Sequence, residues 1–380
     1  MRICYLADGR SMHFHRWLKY FAGCGHEMSF ISYQPINGEN INQIERSGAS
    51  YIGAIGPFHV KKFWKTLHSL RWLKSACKER EIDILHCHFL SFNAWYAALS
   101  GFHPLVITIM GGGDVCGPDW KPQGALAPVL SPYSLRQADL ITSWSPLMGE
   151  VVKRWCRSQT PVEVTHGGVD FQKFYRGEKP DYLRKRLNLP ADAKVIFSPR
   201  LMRPLSNIHQ IALAAVNIRY KEPKAHFIFA YPASTIDAEY RNIVEAIIRR
   251  GGISECVRFV DVIPHDEMAD YYRLADVTVS IPETDGTPMT VLESMACGTP
   301  AVVGDIPDYD IHYIESDKTV LSVRPQDTTG LAEAILRLLE DSALAKRLVA
   351  EAGYRVRMTG SYEAQMSRME KLYLSLVNDA

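Results

Sequence analysis

Short apolar runs alternate with longer amphipathic stretches along the whole chain. Residues 2–7, R-I-C-Y-L-A, read as a buried strand ending at Asp8-Gly9. In H-F-H-R-W-L-K-Y-F-A the apolar positions fall at helical spacing and stop at Gly23 and Gly25, after which M-S-F-I-S-Y resumes as strand. The unit repeats, with strands predicted at 82–87, 104–110, 139–144 and 161–166. A second series is predicted at 194–199, 226–231, 256–260, 277–282 and 300–304. Continuously apolar strands separated by helix-length stretches predict an α/β chain whose parallel sheets are covered on both faces.

The length, 380 residues, favours two domains, since single cores rarely grow beyond roughly 250–300 residues. The expected division is 1–170 and 171–360, with 361–380 a helix packing back on the first domain. The charged, aperiodic stretch Asp170 to Asp192 is expected to be the linker. Two doubly wound domains predict a ligand beyond the carboxyl ends of the strands, in a cleft between the domains.

Composition narrows the chemistry. The formal net charge is +1, so no global field calls for a nucleic-acid partner. The eight cysteines show no C-x-x-C pairing, which fits free thiols in a reducing compartment. The apolar run at the start is short for a signal peptide and no 18 apolar residues run together, so a cytoplasmic location is expected. Residues 57–78 depart from the balance: Lys61, Lys62, Lys65, Arg71, Lys74 and Lys78 occur without an acid. As a helix, this segment places Phe63, Trp64, Leu67 and Leu70 on one face and Lys61, Lys65, His68 and Trp72 on another. That basic face, with Lys61, Lys62, Lys65 and Trp72 as its membrane-facing residues, suits an anionic membrane surface, whereas a plain solvated face is the competing reading.

The densest chemistry lies in D-G-T-P-M-T-V-L-E-S-M-A-C-G-T-P, residues 285–300. After the 277–282 strand, Asp285-Gly286-Thr287-Pro288 is expected to turn, and the following helix to offer free N-terminal amides that attract phosphate. Asp285 and Glu293 are spaced to face one site, one carboxylate accepting from sugar hydroxyls and the other from a ribose. Against this stands the reading of Asp285 as a helix cap and Glu293 as a solvated residue. Gly111-Gly112-Gly113-Asp114 follows a strand and reads either as a ligand-wrapping loop or as a tight turn. A dinucleotide dehydrogenase is disfavoured, because D-G-R-S-M-H after the first strand lacks G-x-G-x-x-G. The pairs His13/His15 and His86/His88 lack partners for a metal set, and Asp308-Tyr309-Asp310 is read as solvated loop.

Residues 279–303 resemble the E-x7-E signature of retaining GT-B glycosyltransferases of the family 4-like group. The likeness extends through A-D-G-R-S-M-H-F-H-R-W near the start, D-I-L-H-C-H at 83–88, G-G-V-D-F-Q-K-F at 167–174, S-P-R-L at 198–201 and Y-Y-R-L-A-D-V at 271–277. The resemblance implies the GT-B fold, two Rossmann-like domains facing across a cleft. It implies a nucleoside diphosphate sugar donor, a UDP- or GDP-sugar, with a glycan or lipid-linked acceptor, retention at the anomeric carbon, and neither cofactor nor metal. Glu293 then holds the ribose, and Asp285, in place of the family's first Glu, contacts the donor sugar. Gly286, Thr287, Pro288, Met289 and Thr290 line sugar and phosphate. Arg200 binds the diphosphate, and Leu205 stands where the family has a Lys, so Arg203 is the expected substitute. Gly9, Arg10, Gly112 and Asp114 border acceptor and phosphate. A GT-B phosphorylase or epimerase, or a non-catalytic nucleotide-sugar-binding subunit, stays open as an alternative.

Overall fold

The structure, a computed structural model, describes residues 1–10, 12–59, 61–111, 115, 119, 121–122, 125–230 and 237–378. The chain divides into two compact units, Met1–Gly167 with Glu363–Ala380, and Gly168–Tyr362.

Among the described residues the first unit holds a seven-stranded parallel sheet of β1 (Arg2–Ala7), β2 (Glu27–Ser32), β3 (Ala49–Ala54), β4 (Ile84–His88), β5 (Leu105–Ile109), β6 (Leu140–Ser143) and β7 (Val162–Val164). Its order is β3-β2-β1-β4-β5-β6-β7, so connections run one way from β1 and the other way from β4. Strands β1, β4, β5 and β6 are buried almost throughout, as helices on both faces require. The helix Tyr362–Asn378 supplies Tyr373, whose fully buried hydroxyl meets that of Tyr5 at 3.0 Å and also bonds His86 Nδ1. His26 Nε2 to Glu370 at 2.9 Å and the Arg368–Glu163 pair at 2.6 Å hold the same helix at its rim.

In the second unit the described strands are β8 (Lys194–Ser198), β9 (Ala225–Ala230), β10 (Val257–Val260), β11 (Val277–Ser280), β12 (Ala301–Gly304) and β13 (Leu321–Val323). They form a parallel sheet in the order β10-β9-β8-β11-β12-β13. The direction of winding reverses between β8 and β11, and such a switch point opens a crevice where two neighbouring loops diverge. The stretch expected to be a linker is instead part of this unit. Phe174 and Leu183 are fully buried and Asp181–Arg186 is helical, with Arg186 bonded to Glu267 at 2.5 Å. Its charges are those of a folded helix surface.

Where the chain enters and leaves this unit, Val169 N donates to Gly360 O at 2.8 Å and Tyr362 N to Val169 O at 2.9 Å. Gly168 adopts φ +66 there, and a Cβ on it would lie 2.4 Å from Tyr362 Cα. Glycine is required at that position.

Candidate functional site

The β8/β11 switch point is held by two hydrogen bonds between its loops. Past β8 the chain makes a short 3-10 turn at Pro204–Ser206 and reaches Asn207, whose left-handed φ of +53 suits Asn. Asn207 Nδ2 donates to Ile281 O at 3.1 Å, and Glu283 N to Leu205 O at 3.0 Å. The loops after β8 and β11 are thereby pinned together. Leu205, where a lysine is expected, contributes its carbonyl to that pinning.

Across the seam Arg200 Nη1 donates to Asp285 Oδ2 at 2.8 Å, and Asp285 Oδ1 accepts from Gly286 N at 2.9 Å. Asp285 does not cap the helix: Pro288 holds the N-cap position of the helix Met289–Cys297 and no side chain caps it. Its first turn is only partly free, because Met289 N already donates to Thr287 O at 2.9 Å and Val291 N to Pro288 O at 2.8 Å. The expectation of an open row of amides is corrected accordingly. The helix offers its dipole more than spare donors. It ends at Gly298 with φ +82, the left-handed cap that the second Gly-Thr-Pro announces.

Charge at the seam is unbalanced. Burial works to lower the pKa of Arg200, but Asp285, Tyr309 and Tyr272 together outweigh it and the guanidinium stays raised. Arg203 is shifted down, first by burial and then by the charge of Arg200, and its buried Nε has no hydrogen-bond partner. Two guanidinium groups thus meet at one carboxylate. Ser198, at the end of β8, Ser280, at the end of β11, and Thr290 carry buried hydroxyls without partners. Such groups are costly to leave unpaired, and a polar ligand or water would satisfy them.

Glu293 is 8% exposed and accepts from Tyr272 Oη at 3.3 Å, so it is no solvated helix residue. Gly286, Thr287, Pro288 and Met289 are buried, and Thr290 is half-buried. Asp308-Tyr309-Asp310 is not a solvated loop either. Asp308 is 2% exposed and accepts from Thr284 Oγ1 at 2.8 Å, fastening the loop after β12 to the one after β11. Tyr309 places a buried hydroxyl near Ser280, without a hydrogen bond of normal geometry, and interacts electrostatically with Arg200 and Asp285. Burial first, and then Asp285, keeps this phenol protonated far above its ordinary range. A D-x-D pattern gave no hint of the tyrosine between the acids.

In the first unit, Gly9 packs so that a Cβ would fall 2.8 Å from Ile36 Cδ1. Arg10 is exposed but engaged, its Nε and Nη2 donating to Asp8 at 3.0 and 2.8 Å, while Tyr33 Oη donates to the same carboxylate at 3.0 Å. Gly112 and Asp114 lie outside the described residues, as does the side chain of His13. His86 and His88 stack 4.3 Å apart inside the sheet, where His86 Nε2 meets Thr108 Oγ1 at 2.6 Å.

The basic segment forms the helix Phe63–Glu79, with one correction to its faces. Thr66, Leu73, Ala76 and Cys77 are the buried positions, three of them small enough to seat the helix closely, and Phe63, Trp64 and Leu67 are left outside. Trp72, expected to face a membrane, is half-buried over Gly53, where a Cβ would be 2.9 Å from Trp72 Cζ2. Lys61, Lys62 and Lys65 are exposed.

Residues 7–173 match the family described as Glycosyltransferase Family 4, and residues 181–355 match Glycosyl transferases group 1. The chain belongs to this glycosyltransferase family, and its fold is GT-B. It is 24% identical over 225 residues to a D-inositol 3-phosphate glycosyltransferase of Streptomyces bingchenggensis, covering 58% of this chain and 49% of that protein. It is 21% identical over 316 residues to the N-acetyl-alpha-D-glucosaminyl L-malate synthase of Bacillus anthracis, covering 81% and 78%. The chain spans about half the length of the first of these relatives. In fold it matches Anabaena HepE, solved in complex with UDP-glucose, with a TM-score of 0.82 at 16% identity over 99% of this chain and 100% of that one.

Proposed function

We propose that the chain moves a sugar from a nucleoside diphosphate sugar, a UDP- or GDP-sugar, to an acceptor hydroxyl with retention at the anomeric carbon, the acceptor being a glycan precursor or lipid-linked. The observation that carries this reading is the unbalanced guanidinium pair at the β8/β11 switch point, Arg200 committed to Asp285 and Arg203 with a buried, unpartnered Nε. A diphosphate supplies the missing negative charge. HepE, of like fold, binds UDP-glucose, and the inositol-phosphate relative is named as a glycosyltransferase.

In this scheme the bond from the anomeric carbon to the diphosphate oxygen breaks with its electron pair passing to the diphosphate. Arg200, Arg203 and the dipole of the helix Met289–Cys297 stabilise that charge, and Tyr309 donates a neutral hydrogen bond. The acceptor oxygen attacks from the face being vacated and its proton passes to the departing phosphate oxygen. Asp285, held by Arg200 and the Gly286 amide, orients the guanidinium and accepts from a sugar hydroxyl rather than acting as a nucleophile. Glu293 accepts from the ribose. Charge is met by side chains throughout, so the scheme calls for no metal.

The test is a thermal-shift screen with UDP, GDP and ADP and their sugars, followed by transfer from a radiolabelled donor with the product anomer assigned by NMR. At a hundredfold excess over Kd a ligand stabilises by about 2.7 kcal/mol, which a melting curve resolves. One nucleotide should raise the melting temperature in the wild type and not in Arg200→Ala. No shift with any nucleotide would overturn the donor site; release of free or rearranged sugar without acceptor would replace transfer by hydrolysis or epimerisation.

A further inference from the structure

We infer that the outer face of the helix Phe63–Glu79 docks the first unit on an anionic lipid bilayer, with Phe63, Trp64 and Leu67 entering the interface and Lys61, Lys62 and Lys65 meeting headgroup phosphates. This rests on observations in the first unit alone and does not depend on the donor site.

Three large apolar side chains stand together at the start of this helix, Phe63 61% exposed, Trp64 59% and Leu67 39%. Scattered single exposures are ordinary, but a contiguous aromatic and aliphatic wedge is a contact surface. The cations are unpaired by design of the sequence: six Lys or Arg occur between 57 and 78 and no acid. Among the described residues none of Lys61, Lys62 and Lys65 takes part in a salt bridge. The helix also begins without a side-chain cap and without an acid in its first turn, so its positive end carries extra positive charge, an arrangement that disfavours the isolated helix. An anionic surface reverses the sign of that term.

The wedge borders a groove of about 690 Å³ lined by Pro57, His59, Trp64, Lys65, His68 and Arg71 among others. Its far wall is fixed. His59 N donates to Thr66 Oγ1 at 3.0 Å, Thr66 Oγ1 to His59 O at 3.1 Å, and Ser69 Oγ to Ile55 O at 2.9 Å. A cationic groove beside an apolar wedge fits a phosphate headgroup with its acyl chains alongside. A nucleic acid would use the cations and leave Leu67 and the edge of Phe63 wet, and a second copy would bring like charge against like.

The experiment is co-sedimentation of the full chain with vesicles of phosphatidylcholine alone or with 30% phosphatidylglycerol, at low and high salt, with single-stranded DNA binding and mass by light scattering alongside. Each basic residue near such a surface contributes about fivefold in partitioning, so changing Lys61, Lys62 and Lys65 to Gln should weaken binding to the anionic vesicles roughly a hundredfold. Trp64→Ser with Leu67→Ser should weaken it at least about tenfold at low salt and remove most of what survives high salt. Both variants alter exposed positions, and unchanged melting curves confirm that they fold. Trp72→Phe should bind like the wild type. The inference is overturned by equal binding to neutral and anionic vesicles, by no sedimentation at low salt, by variants that bind as the wild type does, or by DNA binding or dimerisation that consumes the same residues while vesicles go unbound.

Discussion

Arg203 offers the sharpest test of the site, because its two expected effects have opposite signs. In the free protein this guanidinium is half-buried, faces the charge of Arg200 and leaves Nε unbonded, with Asp285 already committed to Arg200 at 2.8 Å. Removing a partly desolvated cation takes away its repulsion with Arg200 and, in smaller measure, its attraction to Asp285, for a net gain on the order of 1 kcal/mol at an effective dielectric near 20. In a unit of this size that raises Tm by about 2–4 °C. When a diphosphate leaves, the same removal withdraws a preorganised donor from developing charge, at a cost of about 2.7–4 kcal/mol or 10²–10³ in kcat. Arg203→Ala should therefore be as stable as the wild type or more so, and much slower. The assays are a melting curve without ligand and steady-state turnover with the donor that the nucleotide screen selects. With Arg200→Ala the double variant should lose less than the sum, if both groups serve one leaving group. Normal kcat and donor KM in Arg203→Ala would refute the reasoning, and a lower Tm with normal kinetics would make Arg203 structural.

Glu293→Gln should raise donor KM by about ten- to a hundredfold while the melting temperature hardly moves, since a hydrogen bond to a charged acceptor contributes roughly 1.5–3 kcal/mol; unchanged donor affinity by calorimetry would remove Glu293 from the ribose. Tyr309→Phe deletes one neutral donor and should lower kcat by about five- to tenfold, near 1–1.5 kcal/mol, with the fold retained; a wild-type rate would confine the tyrosine to packing. Stability should also fall with acid. His88 and His166 are pushed down to about 3, and His86 well below its usual value, in each case chiefly by burial. The unfolded chain takes up these protons near pH 6.5 and the folded chain does not, so the stabilisation is complete above that pH and declines as pH falls toward 3. The free energy of unfolding in urea should drop steadily from pH 6.5 to 5, by up to roughly 1.4 kcal/mol per pH unit for each imidazole; a value that stays flat would show that the folded protein takes up the same protons.

Buried strands were legible because both their faces are apolar, and the residues that meet at β8 and β11 follow from the strand ends. The two strands that periodicity missed lie at sheet edges. A-S-Y-I-G-A (β3) is only partly buried and passes beneath Trp72 at Gly53, and L-S-V (β13) has three residues. A strand so short or so little buried carries a weak apolar signal. The faces of the Phe63–Glu79 helix were misjudged for a related reason. Burial went to Thr66, Ala76 and Cys77, whose small size brings the helix close, while the larger Phe63 and Trp64 stayed outside. Tyr309 was invisible because its role depends on Asp308 bonding Thr284 across two loops, a pairing no local pattern encodes.

The paired crossing at Val169 and Ser361 bears on how this protein can be recombined. A chimaera that trades the first unit for a relative's must exchange 1–167 and 363–380 together. A single cut near 167 would strand the Tyr373 helix on the wrong parent and leave Tyr5 and His86 facing a foreign ring or none. The splice also has to keep glycine at 168, since any side chain there would collide with Tyr362 of the returning segment. The first unit is thus inherited as a discontinuous block, and libraries built by one-point crossover will under-sample it.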